Sequence, residues 1–463
     1  MLKTPGGIIW LPHCRHTIDP KAQSWMAFKN HVGNVTVPVA SENKKGELVV
    51  KFTKFGDWWQ GERSARQYEG VDFAPPPLRI QGRIYNMWQG FKIEEEAPSA
   101  GPVDISLFLA HATCIMEGDP AGGEFLVDVL AHRVQRPGEK TGLGLVVLGK
   151  AGSGKTTFFQ LLCKALMFDD HYLITDRPEQ IIGKFHLLAR KLMVVWEEAA
   201  GQDTHSGADH LKHLITIEEQ MSEKKGIDAA RVRMCFLPVI TANNVLGNAV
   251  NIEGTDRRWV AVLMNKDHYS DDPDYFSRLF GKMAEPRYMR AVYDFLRARD
   301  ISKYHNSRDW QRLRPITETY KTLQQANRPP IAVWLDRVAK AALEGDDIDY
   351  AVSEAFPSLV ADDPVASRAG PETPATNLHN AYVKWLTEEF KSAHGVTGNA
   401  FARLLSQVAD DTAEKWCTKK KDGKGSIVYT FETVEMVRHR LGPEALPQNY
   451  RAALGAEEGL GEE

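Results

Sequence analysis

The chain has 463 residues, too many for one compact core at ~150 residues per domain, so about three domains are expected. Hydrophobic residues make up 43% and charged residues 25%, which excludes wholesale disorder and fibrous repeats, and no run approaches ~18 uncharged apolar residues, so no membrane span is expected. With 57 Lys and Arg against 61 Asp and Glu the net charge is -4, and a nucleic-acid partner has to be argued from local basic patches.

The opening residues MLKTPGGIIWLPHCRH hold too short an apolar stretch for a secretory signal. Five cysteines, far apart and without any CxxC, point to a reducing cytoplasm with no disulfide framework and no zinc ribbon. Residues 1–54 show no clear period and form a segment of unknown function. Residues 55–136 read as an aromatic and helical region. Trp58, Trp59, Tyr68, Phe73, Tyr85 and Trp88 come first. Two amphipathic helices at 103–117 and 122–135 follow, with Ile105, Phe108, Leu109 and Ala112, then Phe125, Leu126, Val129 and Leu130, at helical spacing. Residues 137–270 alternate short apolar strands (Leu143–Leu148, Leu192–Trp196, Phe236–Thr241, Trp259–Met264) with helical segments, which predicts an α/β domain with a mostly parallel sheet covered on both faces. A helical extension at 271–356 leads to a Pro-rich linker at 357–376. Residues 377–445 form a small last domain, read as helix, helix, hairpin, helix, and an acidic tail occupies 446–463.

The strongest motif is Gly149-Lys150-Ala151-Gly152-Ser153-Gly154-Lys155-Thr156, a complete GxxxxGK[ST] between a predicted strand and a predicted helix. Glycines let successive backbone N–H groups turn toward one anion, and the helix N-terminus adds partial positive charge. Gly149, Ala151, Gly152, Ser153, Gly154, Lys155, Thr156 and Thr157 are the predicted nucleotide contacts. Lys155 would reach the β- and γ-phosphates of ATP, and the Thr156 hydroxyl would ligate Mg²⁺.

Three further groups belong with this loop. The apolar strand Leu192–Trp196, expected beside the P-loop strand, ends in Glu197 and Glu198. Glu197 would sit near Mg²⁺ and Glu198 would polarise the attacking water as general base, although the two roles could be exchanged. Asn243, at the end of Pro238-Val239-Ile240-Thr241-Ala242-Asn243-Asn244, is placed to sense the γ-phosphate; an ordinary Asn-rich turn is the alternative. Arg257 and Arg258 open the strand Trp259–Met264, where one arginine could stabilise transition-state charge in a neighbouring subunit or form a structural ion pair.

In this order the four motifs resemble those of superfamily 3 helicases, the viral and plasmid branch of the AAA+ ATPases, and look most like the helicase part of phage primase-polymerases and poxvirus-type primase-helicases. Asn86-Met87-Trp88-Gln89-Gly90-Phe91 and Ala131-His132-Arg133-Val134-Gln135-Arg136-Pro137 resemble two elements that precede the family's P-loop strand. Glu223-Lys224-Lys225-Gly226-Ile227-Asp228 resembles its hairpin motif. The resemblance implies an AAA+ P-loop NTPase core and a ring, commonly a homo-hexamer, that translocates on single-stranded DNA with ATP and Mg²⁺. It also implies that Arg258 contacts the next subunit's ATP. Residues 1–54 are too few for a primase-polymerase domain, so the expectation is a stand-alone helicase of phage or mobile-element replication, in the bacterial host cytoplasm, with a separate primase or polymerase.

Lys224, Lys225, Arg231 and Arg233 lie in the expected hairpin and would neutralise phosphates in a ring channel, or form a solvated turn. Lys225 precedes the glycine as in the family. The last domain is compatible with a winged helix, whose wing would be Lys419-Lys420-Lys421-Asp422-Gly423-Lys424-Gly425, with Lys420 and Lys421 on backbone phosphates, or this tip is a solubilising loop. Zinc at His13, Cys14 and His16 lacks a second ligand pair, and His205, His210 and His213 read as a surface helix. Trp58, Trp59, Trp88 and Phe91 read as core rather than as base-stacking platforms. The expected function is an ATP-dependent DNA helicase; the alternatives are an ATP-regulated initiator or loader and a P-loop phosphotransferase.

Overall fold

The computed structural model describes residues 2–4, 7–10, 21–98, 101–182, 188–197, 212–224, 227–243, 250, 252, 256–264, 272–326, 330–344, 372–390, 396–410 and 417–431. It divides into two compact units, Met1–Asn327 and Arg328–Glu463.

At the centre of the first unit lie five strands: β1 (Gly144–Leu148), β2 (Tyr172–Thr175), β3 (Met193–Trp196), β4 (Leu237–Ala242) and β5 (Trp259–Leu263). Their order is β5-β1-β4-β3-β2, and every pair is parallel. Side chains alternate across the sheet, so each strand feeds two cores. Leu145, Val147, Met193, Val195, Val239, Val260 and Val262 face the helical side, with Phe158, Leu162, Phe108, Leu126 and Leu279. Val146, Leu148, Val194, Trp196, Ile240, Trp259 and Ala261 face a thinner layer with Leu214, Ile215, Tyr320 and Leu323. Burial on both faces is why these strands read as continuous apolar runs.

Two features of the sheet differ from the sequence reading. The edge strand β2 was not expected; its Tyr172, Leu173 and Ile174 are only half-buried, so it carries a weaker apolar signal. The acid-bearing strand β3 does not neighbour the P-loop strand β1, because β4 lies between them and pairs with both.

The two predicted helices form at Ser106–Ile115 and Pro120–Gln135. Asp119 caps the second, accepting from Ala121 N at 3.1 Å and Gly122 N at 2.9 Å, with Pro120 in the first turn where no N–H is needed. Gln135 donates to the Leu296 and Arg299 carbonyls at 2.7 Å, capping the helix Pro286–Ala298. Asp128, almost fully buried, accepts from Arg299 Nε at 2.5 Å and Tyr304 Oη at 2.9 Å and pairs with Lys303 at 2.8 Å. A buried carboxylate is tolerated when it is paired in this way.

The aromatic element packs inward. Trp88 stacks on His171 at 5.3 Å and 27° and meets Phe73 and Phe91 edge-on. Asn86 brackets Ala74, accepting from its N–H at 3.1 Å and donating to its carbonyl at 2.9 Å. Before this element, where no period was legible, a three-stranded antiparallel sheet (Leu2–Thr4, Gly7–Trp10, Lys21–Gln23) precedes a long hairpin, Thr36–Glu42 with Leu48–Lys54. Ile8, Phe28, Val32 and Trp59 form a small core there.

The second unit holds helices Pro330–Glu344, Ala375–Phe390 and Gly398–Asp410 and an antiparallel sheet in which Ile427–Phe431 pairs with Thr373–Pro374 and Cys417–Lys421. Trp334, Leu335, Leu378, Tyr382, Phe401, Leu405, Tyr429 and Phe431 fill one core. The helix Pro330–Glu344, placed above in the extension 271–356, thus belongs to this core. The described part is helix, helix, hairpin; the final helix expected of a winged helix, and the tail 446–463, lie outside the described residues. Cys114, Cys163, Cys235 and Cys417 are buried and form no disulfide among the described residues. Among the described residues no helix is long and apolar enough to cross a membrane.

Candidate nucleotide site

Five parallel strands bring their C-terminal ends to one edge, where open α/β sheets hold ligands. The GxxxxGK[ST] loop follows β1 there. Gly149 N still donates to Ala242 O at 3.2 Å, which ties the loop's first residue to β4. Gly152 and Gly154 have φ of +79° and +77°, and the helix Lys155–Leu166 begins directly after them. Its first internal bond is Phe158 N to Gly154 O at 3.0 Å, and no side chain caps it. The N–H groups of Lys155, Thr156 and Thr157 therefore precede the helix's own i→i−4 ladder and are the donors that an anion at this loop would meet. Ser153 Oγ is buried in the loop without a hydrogen-bond partner among the described residues.

Gly154 is fixed twice over. Its φ disfavours any side chain, and an added Cβ would stand 2.5 Å from Phe276 Cε1. Phe276 and Phe280, stacked at 5.4 Å, support the loop from behind, and His111 beneath the helix accepts from or donates to Tyr275 Oη at 2.9 Å. Burial holds His111 down at about 3, so it packs as a neutral imidazole. Gly154→Ala is expected to lower stability by on the order of 1–3 kcal/mol and to weaken nucleotide binding in parallel. Urea unfolding and nucleotide titration of the same preparation would check it; unchanged values in both would contradict this account of the loop.

Lys155 is buried, and its Nζ donates to Gly149 O at 3.0 Å, Lys150 O at 3.3 Å and Asn243 Oδ1 at 2.6 Å. Thr156 Oγ1 lies 3.0 Å from Thr241 Oγ1, and Thr241 Oγ1 donates to Trp196 O at 3.4 Å. One turn along the same helix face, Gln160 Nε2 donates to Glu197 Oε1. The helix thus meets β4 through Lys155 and Thr156, and the end of β3 through Gln160. Glu198 lies outside the described residues. Thr241, Gln160, Phe276 and Phe280 were not singled out from sequence. Gln160 stands four residues after Thr156 and Thr241 two before Asn243, spacings that could have flagged both.

Arg258 sits at the opposite edge. Trp259 pairs with Gly144 in register, so Arg258 precedes β5 while the loop follows β1. Five strand residues at ~3.3 Å each, roughly 17 Å, separate it from its own loop. Arg258 N donates to Asp256 Oδ1 at 2.8 Å, and its Nη1 is 3.7 Å from Asp256 Oδ2. The Asp256 side chain is 3% exposed and lies 4.0 Å from Lys212 Nζ. Arg314 Nη2 and Tyr320 Oη donate to the Asp256 carbonyl, pinning this turn. Arg257 is exposed and makes no hydrogen bond or ion pair among the described residues.

The hairpin expected before β4 is present as Glu219–Lys224 paired antiparallel with Ile227–Arg233. The backbones of Lys224 and Arg231 lie on it; their side chains, and all of Lys225, lie outside the described residues. Arg233 pairs with Asp72 at 3.1 Å at the hairpin's base and so serves as an anchor, not as one of the expected free cations. Lys140 Nζ donates to Leu214 O at 2.5 Å and Ile217 O at 2.8 Å just before the hairpin, and Arg133 donates to Cys235 O just after it. Burial pushes Lys140 down to about 7 and Arg133 to about 10. In the second unit Lys420 and Lys421 are exposed on their strand, next to a turn closed by Asp422 Oδ1, which accepts from Lys424 N at 2.9 Å and Ser426 N at 2.7 Å.

Residues 147–258, from the P-loop strand to Arg258, match a family described as "Family of unknown function (DUF5906)". No curated protein matches the chain. Among solved structures, the apo C-terminal region of NrS-1 is similar at a TM-score of 0.53 with 13% identity, over 88% of this chain and 98% of that one. A second structure of the same region, its A form, gives a TM-score of 0.54 with 14% identity over 85% of this chain and 96% of that one. At such identities the likeness is one of fold: this chain shares the fold of the NrS-1 C-terminal region.

Proposed function

We propose that this chain is an ATP-dependent DNA helicase of the superfamily 3 type, acting in phage or mobile-element replication as a ring on single-stranded DNA. The observation that carries the reading is the bond from Lys155 Nζ to Asn243 Oδ1 at 2.6 Å, which joins the phosphate loop to the amide-bearing strand at the ligand edge of the sheet. A γ-phosphate arriving in the cradle takes Lys155 away from Asn243 and from its own loop carbonyls. The lysine thereby exchanges neutral acceptors for a charged one, a stronger bond. The amide released by that exchange can turn to the attacking water or the phosphate, so β4 responds to the nucleotide. The hairpin immediately precedes β4, which gives that response a route to DNA.

Thr156 and Glu197 present one hydroxyl and one carboxylate at this edge, a donor set that suits Mg²⁺, a cation that takes the rest of its ligands from phosphates and water. When bound it would neutralise phosphate charge. Glu198 is proposed as the base that polarises water. Arg258, too far from its own loop, would serve the loop of an adjacent subunit.

Strand displacement on forked DNA with 3′ or 5′ single-stranded tails tests the proposal. ATP-dependent unwinding from one tail polarity is expected. DNA binding and ATP turnover without unwinding would favour an initiator or loader, and phosphoryl transfer to a soluble acceptor would favour a phosphotransferase.

A further inference from the structure

The N-terminal hairpin has no role in the nucleotide site, and its surface is unusual for this protein. Thr36–Glu42 and Leu48–Lys54 pair along their whole length. The tip is locked by Asn43, whose Oδ1 accepts from Lys45 N at 2.8 Å and Glu47 N at 3.0 Å, with Gly46 at φ +79°. Along one face Leu48, Val50 and Phe52 are 74%, 56% and 75% exposed, opposite Glu42, Ala40 and Pro38. With Met26 and Val35 they make five of the nine exposed large hydrophobics among the described residues, a concentration in one small subdomain rather than a scatter.

Charge accompanies the apolar face. Lys54 is exposed on that face and Lys44 and Lys45 at the tip, with Lys51 on the opposite face, against Glu42 and Glu47, in a chain whose net charge is -4. The side chains of Lys44, Lys45 and Lys54 make no hydrogen bond or salt bridge among the described residues. Two features disfavour another protein strand as the occupant. Pro38 removes a ladder donor, and strand lysines are the usual guard against edge pairing. Lysine is also depleted in the cores of protein interfaces. An exposed aromatic ring among unpaired lysines suits a polyanion that carries flat bases.

We propose that this hairpin is a second, motor-independent contact for single-stranded DNA. Phe52 stacks on a base, and Lys54 on the same face and Lys44 and Lys45 at the tip neutralise backbone phosphates. The inference rests on the helicase reading for its partner but not on the nucleotide site. The test is fluorescence anisotropy of labelled oligo-dT with the full chain over a range of salt. Phe52→Ala is expected to weaken binding about tenfold, since a stacked base contributes on the order of 1–3 kcal/mol, and Phe52→Trp should retain it. Lys44→Ala/Lys45→Ala/Lys54→Ala should make the slope of log K against log salt shallower by about 2, at ~0.7 per phosphate. DNA-independent ATP hydrolysis should be unchanged in all three variants. Wild-type binding with unaltered affinity and slope in the variants would overturn the hairpin site alone. A change of oligomeric state in Phe52→Ala, with DNA affinity intact, would assign the face to a second copy and likewise overturn it. A wild-type chain that does not bind oligo-dT would overturn both the hairpin site and the helicase reading.

Discussion

Lys155→Ala is expected to abolish ATP binding at working concentrations and, with it, hydrolysis. The side chain is buried, and its ammonium already faces three acceptors at the ligand edge of the sheet. Each charge-assisted bond it would give a phosphate is worth roughly 1.5–3 kcal/mol. Contacts to both β- and γ-phosphates therefore correspond to ~10²–10⁴-fold in affinity, at 1.4 kcal/mol per tenfold. The fold should survive, because two of the three groups left behind, the Lys150 carbonyl and the Asn243 amide, belong to exposed residues that water can reach. Nucleotide titration beside a thermal melt separates the two effects. Retained hydrolysis in a folded Lys155→Ala chain would remove the phosphate loop from the account.

The second large effect concerns the arginines. Arg258→Ala is expected to lose about 10³-fold or more in hydrolysis, the scale of a trans-acting arginine, with nucleotide affinity in the isolated subunit unchanged. Its 3.7 Å pairing with Asp256 is long, and its side chain is 35% exposed, so it can leave Asp256 for a phosphate. Mixing gives the sharper reading. Lys155→Ala subunits cannot bind ATP but carry intact arginines; Arg258→Ala subunits bind ATP but lack one. A mixture should regain activity that neither has alone. Complementation by Arg257→Ala subunits, with Arg258→Ala subunits active on their own, would move the role to the exposed neighbour. Inactivity of Arg258→Ala together with failure of the mixture would leave Arg258 as the structural partner of Asp256.

The parallel core was legible because burial on both faces writes uninterrupted apolar runs: β1, β3, β4 and β5 were all readable from Leu143–Leu148, Leu192–Trp196, Phe236–Thr241 and Trp259–Met264. The edge strand β2 has one side half open, and Tyr172-Leu173-Ile174 follows a polar stretch that masks it. Strand order was not legible, since apolar runs carry no record of which neighbour they pair with. The acid-bearing strand was accordingly placed one position too close to the loop. Within the site, Lys155, Thr156 and Asn243 were legible because a motif or a strand end marks them. Gln160 and Thr241 were not, because their roles exist only once helix and strand lie against each other. The N-terminal hairpin escaped for a different reason: both faces carry apolar residues, Leu48, Val50 and Phe52 on one and the half-buried Val37, Val39 and Val49 on the other, which blurs the period-two signal. In the second unit, Trp334, Tyr382 and Phe401 share a core although a long Pro-rich stretch separates the first from the others in sequence.

Steady-state phosphate release with ATP and Mg²⁺, with and without single-stranded DNA, tests the central claim most directly. The account predicts hydrolysis that rises on adding DNA in the wild-type chain and is absent at every DNA concentration in Lys155→Ala. A folded, DNA-binding wild-type chain that releases no phosphate under either condition would contradict it.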